Sequence, residues 1–257
     1  MKIAVLGAGK MGTWLCDALC LEHEVAVYDP DIRRLSYVFN TIRLVKAEEI
    51  EAFEPELAIN AANLQHTENA FRAALPFLNN SCILADIASV KNGIHQFYLE
   101  TGRLFVSVHP MFGPTFASLN DLSRHHAIII TESDERGKDF FRNFFGRLGL
   151  KLHELSFEAH DQTIAYSLSV PFASSLVFAS CMQPQEAPGT TFEKHLTIAR
   201  GLLSEDDHLL GEILFNPNSN PMLGKISEAL ENLKTIIQNR DHQAMAAFLK
   251  NVRKNLV

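Results

Sequence analysis

The chain has 257 residues and a formal net charge of −7, and it is 47% hydrophobic, 21% charged and 9% aromatic. That composition is the one expected of a soluble globular protein and excludes disorder, collagen-like repeats and a coiled coil. The acidic balance argues against nucleic acid or an anionic membrane as the main partner, because both select a basic footprint.

The length predicts one large domain or two modest ones. No apolar run approaches the roughly 20 residues of a membrane span. The opening residues Met1 to Gly7 run straight into a strand pattern, so no signal peptide is expected. Cys16, Cys20, Cys82 and Cys181 contain no CxxC pair. Reduced thiols in a cytoplasmic setting are expected, and no metal site.

In chain order, the first half alternates short apolar runs with helical patterns. Strands are predicted over Lys2–Leu6, Glu24–Tyr28, Leu57–Ala61, Cys82–Ile87, Leu104–Val108, Ala127–Thr131 and Leu150–Leu155. Continuous Val, Ile, Leu and Ala runs suit strands covered on both faces. Pro76 should shorten the helix that carries Phe71, Ala74 and Leu75. The alternation predicts a parallel, doubly wound sheet over residues 1–155.

After Ser156 the pattern becomes helical, which predicts a second domain over residues 156–257. Phe157–Cys181 reads as one long helix with a kink at Pro171. Gln183–Thr190, with Pro184, Pro188 and Gly189, reads as a break. Helices follow over about Phe192–Leu203 and Asp206–Phe215. The run from Asn216 to Pro221 interrupts, and two last helices span Leu223–Gln238 and His242–Leu256. Leu223, Ile226, Leu230, Leu233 and Ile237 repeat at spacings of 3, 4, 3 and 4. They share one face, which fits either an internal core or a dimer seam.

The first strand leads into Gly7-Ala8-Gly9-Lys10-Met11-Gly12 and then a helix. In this GxGxxG, Gly7 allows the tight turn, Gly9 lets the backbone approach a pyrophosphate, and Gly12 lets the helix pack close to the sheet. The helix start, with Lys10 and Met11, offers free N–H groups and a positive dipole end to phosphates. The second strand ends at Asp29, 17 residues after Gly12. A carboxylate there accepts hydrogen bonds from ribose hydroxyls and repels a 2′-phosphate, so NAD is expected over NADP. Arg33 and Arg34 lie close enough to keep NADP open. FAD uses the same turn, but the second half lacks the usual large flavin domain. The architecture is therefore a Rossmann-type sheet followed by an all-helical half.

Two strand-end segments attract chemistry: Asp86-Ile87-Ala88-Ser89-Val90-Lys91 and His109-Pro110-Met111-Phe112-Gly113-Pro114. Ligands sit outside the carboxyl ends of strands in such a sheet. Ser89, Lys91 and His109 are thus expected to converge on the nicotinamide end of the cofactor. An imidazole, with its ordinary pKa of about 6.5, suits His109 to accept a hydroxyl proton.

GAGKMG, then DIASVK, then HPMFGP, then His160-Asp161 at the head of a long helix, together resemble the prephenate/arogenate dehydrogenase family of tyrosine biosynthesis. The resemblance spans nearly the whole chain. It implies an oxidoreductase that passes a hydride from C4 of prephenate to NAD, while the C4 hydroxyl loses its proton and the ring carboxylate leaves as CO2. The product is 4-hydroxyphenylpyruvate. On the resemblance, His109 is the base, Ser89 hydrogen-bonds near the same hydroxyl, and Lys91 orients the loop or counters substrate charge. It also implies an arginine on a later helix that holds a carboxylate, and Arg200 is the only arginine available there. A homodimer through the helical half is implied as well. On that reading 257 residues leave no length for a fused chorismate mutase or regulatory domain.

One departure stands out. Where many family members carry a second histidine in a stretch like SHLPH, this chain reads Ser167-Leu168-Ser169-Val170-Pro171-Phe172. Three other readings stay open. Arogenate is an alternative substrate, which differs by an amine in place of the keto group. A hydroxyacid-type dehydrogenase would leave HPMFGP unexplained. A catalytically inactive NAD-binding sensor would suit the missing histidine and is opposed by the intact Ser89 and His109.

Overall fold

The computed structural model describes residues 1–91, 93–113 and 121–256. Its sheet is built from β1 (Lys2–Leu6), β2 (Glu24–Tyr28), β3 (Ile42–Leu44), β4 (Leu57–Asn60), β5 (Ile83–Asp86), β6 (Phe105–Pro110), β7 (His126–Ile130) and β8 (Lys151–Leu155). The strand order is β3-β2-β1-β4-β5-β6-β7-β8. Neighbours run parallel except β6 and β7, which pair antiparallel. The sheet is therefore not wholly parallel as expected. β3 was not expected at all, since an edge strand of three residues carries too little periodicity to register.

The helices α1 (Lys10–Leu19), α2 (Ile32–Leu35), α3 (Glu49–Phe53), α4 (Thr67–Ala74), α5 (Ile94–Thr101) and α6 (Glu135–Arg147) cover the sheet. On one face Leu15, Phe141 and Phe145 pack on Ile3, Val5 and Val106. On the other, Phe71, Phe97 and Tyr98 pack with Leu6, Ala58 and Leu84. Two covered faces explain why these strands read as continuous apolar runs. Pro76 acts as expected, because α4 ends at Ala74 and a single 3₁₀ turn, Leu75–Phe77, follows.

No further strand follows Leu155 among the described residues. The chain continues as α7 (Phe157–Ile164), a π turn (Ala165–Ser169), α8 (Val170–Ser180), α9 (Thr190–Leu202), α10 (Asp207–Leu214), α11 (Ser219–Asn239) and α12 (His242–Lys254). Where a kink was expected at Pro171, the structure has a π turn just before the proline. Proline cannot donate to the carbonyl four residues back, and a π turn shifts the pairing to the fifth residue. α11 begins four residues earlier than expected. Pro221 sits in its first turn, where a missing N–H costs no intrahelical bond.

The 24-residue stretch Phe157–Ser180 contains an 18-residue window with a mean hydropathy of 1.3, long and apolar enough to cross a membrane by length and composition alone. The stretch opens with Glu158, His160, Asp161 and Gln162, so it is not an uninterrupted apolar run of that length. Its serines hide their polarity: Ser167 Oγ donates to the Thr163 carbonyl and Ser174 Oγ to the Val170 carbonyl. Ile164, Ala165 and Ser169 are fully buried, whereas α8 has no buried residue. The α11 stripe is likewise incompletely covered, with Leu230 57% and Ile237 59% exposed.

Candidate active site

The glycine turn lies at the carboxyl end of β1, where the sheet order reverses between β2 and β4. Gly7 adopts φ +108°, and its N–H donates to the Tyr28 carbonyl at 2.7 Å. A Cβ on Gly12 would strike the Gly7 carbonyl oxygen, whereas a Cβ on Gly9 would meet nothing within 4 Å. Gly12 thus serves close packing, and Gly9 fronts open space. Gly9 is also the N-cap of α1 and makes no side-chain cap bond, so the first-turn N–H groups of Lys10 and Met11 stay available. These features fit a dinucleotide pyrophosphate.

Asp29, buried at the end of β2, accepts from Ala8 N at 2.7 Å and from Asp31 N at 2.8 Å. Those bonds fix the carboxylate beside the glycine turn. Arg34 Nη1 lies 3.8 Å from its Oδ2, while Arg33 pairs with Asp31 at 2.8 Å. A cleft of about 470 Å³ runs past Gly7, Gly9, Asp29, Arg34, Asn63 and His66. It continues into a second space of about 420 Å³, where Lys10, Met11, Ser89, Phe112 and Gly113 face Ser204, Glu205 and Asp206 from the helical half. Trp14 of α1 meets the Phe112 ring edge-on, centroids 5.3 Å apart, and so props the wall after β6. Pro114, the last residue of the HPMFGP stretch, lies outside the described residues.

His109 sits near the end of β6 and is buried. Its Nδ1 is 3.0 Å from Nε2 of His160 on α7, and His160 Nδ1 is 3.0 Å from Asp161 Oδ1. The bond pattern assigns the protons. An ionised carboxylate only accepts, so His160 Nδ1 carries hydrogen; neutral His160 then accepts at Nε2, and His109 donates from Nδ1. His109 Nε2 is left as the lone-pair nitrogen. Burial, with His160 and Lys91 adding to it, pushes the His109 pKa well below 6.5. Burial likewise lowers that of His160, against the pull of Asp161. Both rings are therefore neutral at pH 7.

Ser89 is half-buried and lines the cleft, but no hydrogen bond joins it to His109 among the described residues. Lys91 does not face the cleft. Its side chain is fully buried, with Nζ 2.5 Å from Asp86 Oδ2 and 2.8 Å from the Val108 carbonyl. Tyr98 Oη donates to the other Asp86 oxygen at 2.8 Å. Lys91 thus ties β5 to β6 beside His109 and is closed to a substrate. Arg200 is exposed on α9 and, like the buried His109, is not among the residues that line either space. Sequence reasoning used His160 and Asp161 only as markers of resemblance; the contact of His160 with a ring 51 residues earlier carries no local signal.

Comparison with known proteins reaches Ser89, Lys91 and His109 among these residues. Residues 23–148 match a family model described as prephenate dehydrogenase, nucleotide-binding domain. That region of the chain is the nucleotide-binding domain of the prephenate dehydrogenase family. A probable arogenate/prephenate dehydrogenase of Methanocaldococcus jannaschii is 21% identical over 216 residues, covering 78% of this chain and 48% of that protein. The T-protein of Enterobacter agglomerans is 23% identical over 202 residues, covering 74% and 52%. The chain therefore spans about half the length of the curated relatives it matches. Among solved structures, prephenate dehydrogenase of Aquifex aeolicus with hydroxyphenyl propionate and NAD+ superposes with a TM-score of 0.83 at 16% identity, over 99% of this chain and 96% of that one. Synechocystis arogenate dehydrogenase gives 0.76 at 18%, over 99% and 98%. At these identities the superpositions establish the shared fold alone.

Proposed function

We propose that this protein is an NAD-dependent prephenate dehydrogenase, an oxidative decarboxylase that yields 4-hydroxyphenylpyruvate, with arogenate as the alternative substrate. The observation that carries the reading is the His109–His160–Asp161 chain, which leaves one buried imidazole with an unprotonated Nε2 on the strand that leads into the cleft wall at Phe112 and Gly113. Gly7, Gly9, Gly12 and the N–H groups of Lys10 and Met11 hold the pyrophosphate. Asp29 takes the ribose hydroxyls, which favours NAD over NADP.

When bound, the dinucleotide supplies the hydride acceptor. His109 Nε2 accepts the C4 hydroxyl proton as hydride leaves C4, and the ring carboxylate departs as CO2. Asp161, acting through His160, keeps the accepting tautomer and offsets the charge that forms on His109. Ser89 orients the substrate from the cleft wall. Because aromatisation drives the step, the protein's work is orientation and polarisation.

The helical half, residues 156–257, is proposed to pair with a second copy through the exposed apolar faces of α8 and α11; light scattering on the purified chain tests this. The deciding assay offers prephenate or arogenate with NAD or NADP. His109→Asn should lower kcat by about 10²–10⁴-fold with NAD affinity retained. An unchanged rate in that variant removes His109 as the base, and no turnover in any of the four combinations favours the NAD-binding sensor.

A further inference from the structure

The relay works only while α7 keeps one position over β6. A hydrogen bond of 3.0 Å is largely lost when its atoms separate by roughly another 0.5 Å. On the sheet side α7 is fixed by its own start. Ser156 Oγ accepts from Ala159 N at 3.1 Å, Glu132 Oε1 accepts from Phe157 N at 3.2 Å, and the Phe157 ring stacks on His95 at 4.2 Å.

On its other side the helix is held by the corner between α10 and α11. Asn216 Nδ2 donates to the Asp161 carbonyl at 2.9 Å. Asn216 is itself aimed by Asn218, whose N–H donates to Asn216 Oδ1 at 2.9 Å. One level further on, Ser169 Oγ donates to the Ile213 carbonyl at 2.8 Å and accepts from Ser219 Oγ at 2.8 Å. All three side chains are buried: Asn216 6%, Ser169 0% and Ser219 1% exposed. Burying polar groups is costly unless each is bonded, and apolar residues would fill the same junction at less cost. What the polar set adds is direction, and one of its bonds ends on the backbone of the residue whose carboxylate fixes His160.

We infer that Asn216 is a positioning residue: its amide holds Asp161 in the place from which the carboxylate sets the His160 and His109 tautomers, and the Ser169–Ser219 pair holds the π turn against the same corner. The charged and titratable groups around His109 are His160 on α7, Asp161 behind it, Lys91 after β5 and Asp86 at the end of β5. Loosening the corner removes Asp161 from that set and leaves Lys91, so the bare-Nε2 tautomer is no longer enforced.

This inference rests on the relay assigned under the proposed function, and its test reads the relay directly. In the ¹⁵N-labelled full chain, long-range ¹H–¹⁵N correlations report which nitrogen of His109 carries hydrogen. The wild-type chain should show one tautomer with Nε2 bare, and Asn216→Ala should show a second population with Nε2 protonated. Ser219→Ala, which leaves Asn216 and the relay residues in place, should show the same change to a smaller degree; it carries the test if Asn216→Ala does not fold. Ser169→Thr, which keeps a hydroxyl, should retain the wild-type pattern where Ser169→Ala does not. A wild-type tautomer pattern in folded Asn216→Ala or, failing that, in Ser219→Ala overturns the inference. A shifted tautomer in a chain that turns over neither substrate supports the positioning role of Asn216 while sinking the proposed reaction.

Discussion

His160 Nε2 approaches His109 Nδ1 to 3.0 Å across 51 residues of sequence, joining the first helix of the helical half to the sixth strand of the sheet. With Asp161 at its far end, that contact turns a buried histidine into one with a defined lone pair. It also makes the two imidazoles costly to protonate, because both are buried and adjacent.

The pH dependence of stability follows from that cost. Burial holds the folded pKa values of His109 and His160 below the ordinary 6.5. Unfolded imidazoles take protons first as pH falls. The stabilisation is therefore complete above about pH 6.5 and is lost as pH drops toward the folded values, at a limit of about 1.4 kcal/mol per pH unit for each ring. Calorimetry should find Tm falling between neutral and mildly acidic pH, and falling less in His109→Asn. A Tm indifferent to pH over that range contradicts neutral, buried rings.

The glycine turn separates packing from binding. Gly12→Ala drives a Cβ into the Gly7 carbonyl oxygen, which is backbone and cannot swing aside. Thermal melts should show a loss of about 1–3 kcal/mol. Gly9→Ala meets no protein atom, so its melt should match wild type while titration with NAD shows at least about tenfold weaker binding, a loss of about 1.4 kcal/mol. Equal melts for the two variants would count against this division.

Lys91 predicts a stability effect rather than a binding effect. Lys91→Met strands the Asp86 carboxylate in a site where both side chains are fully buried. The cost should be about 3–5 kcal/mol by denaturant titration. Adding Asp86→Asn should recover part of it, because the stranded charge is then gone. A variant of wild-type stability with a raised substrate KM would instead place Lys91 at the substrate.

For Arg200 the exposed position on α9 alters the expectation drawn from family resemblance. Steady-state kinetics of Arg200→Ala should show KM for prephenate within about twofold of wild type, as for a side chain that contributes no uniform binding. A large rise in KM at constant kcat would restore Arg200 as the carboxylate anchor.

Much of the nucleotide half is legible in the sequence because its signals are local. A strand, a glycine turn, a helix and an acid at the next strand end lie within the first 29 residues, and each residue's task follows from its neighbours in the chain. The same holds for the proline that ends α4 and for the switch to helices after Leu155. The long helix was legible in its ends but not in its π turn, because the sequence shows where a proline removes a bond and not which neighbour accepts the shift.

What the sequence by itself determined is the class of fold, the dinucleotide turn and His109 as the group with suitable chemistry. Tertiary structure alone decided what surrounds that group. Lys91 and His109 come from separate strand ends, yet one is locked to Asp86 and the other pairs through Nδ1 with His160. His160, which gives His109 its tautomer, reaches it only because α7 packs against the sheet beside β7 and β8. Local chemistry is written in residue type and spacing. Which nitrogen is bare depends on a three-dimensional chain of donors and acceptors, and that chain exists only once distant elements have packed.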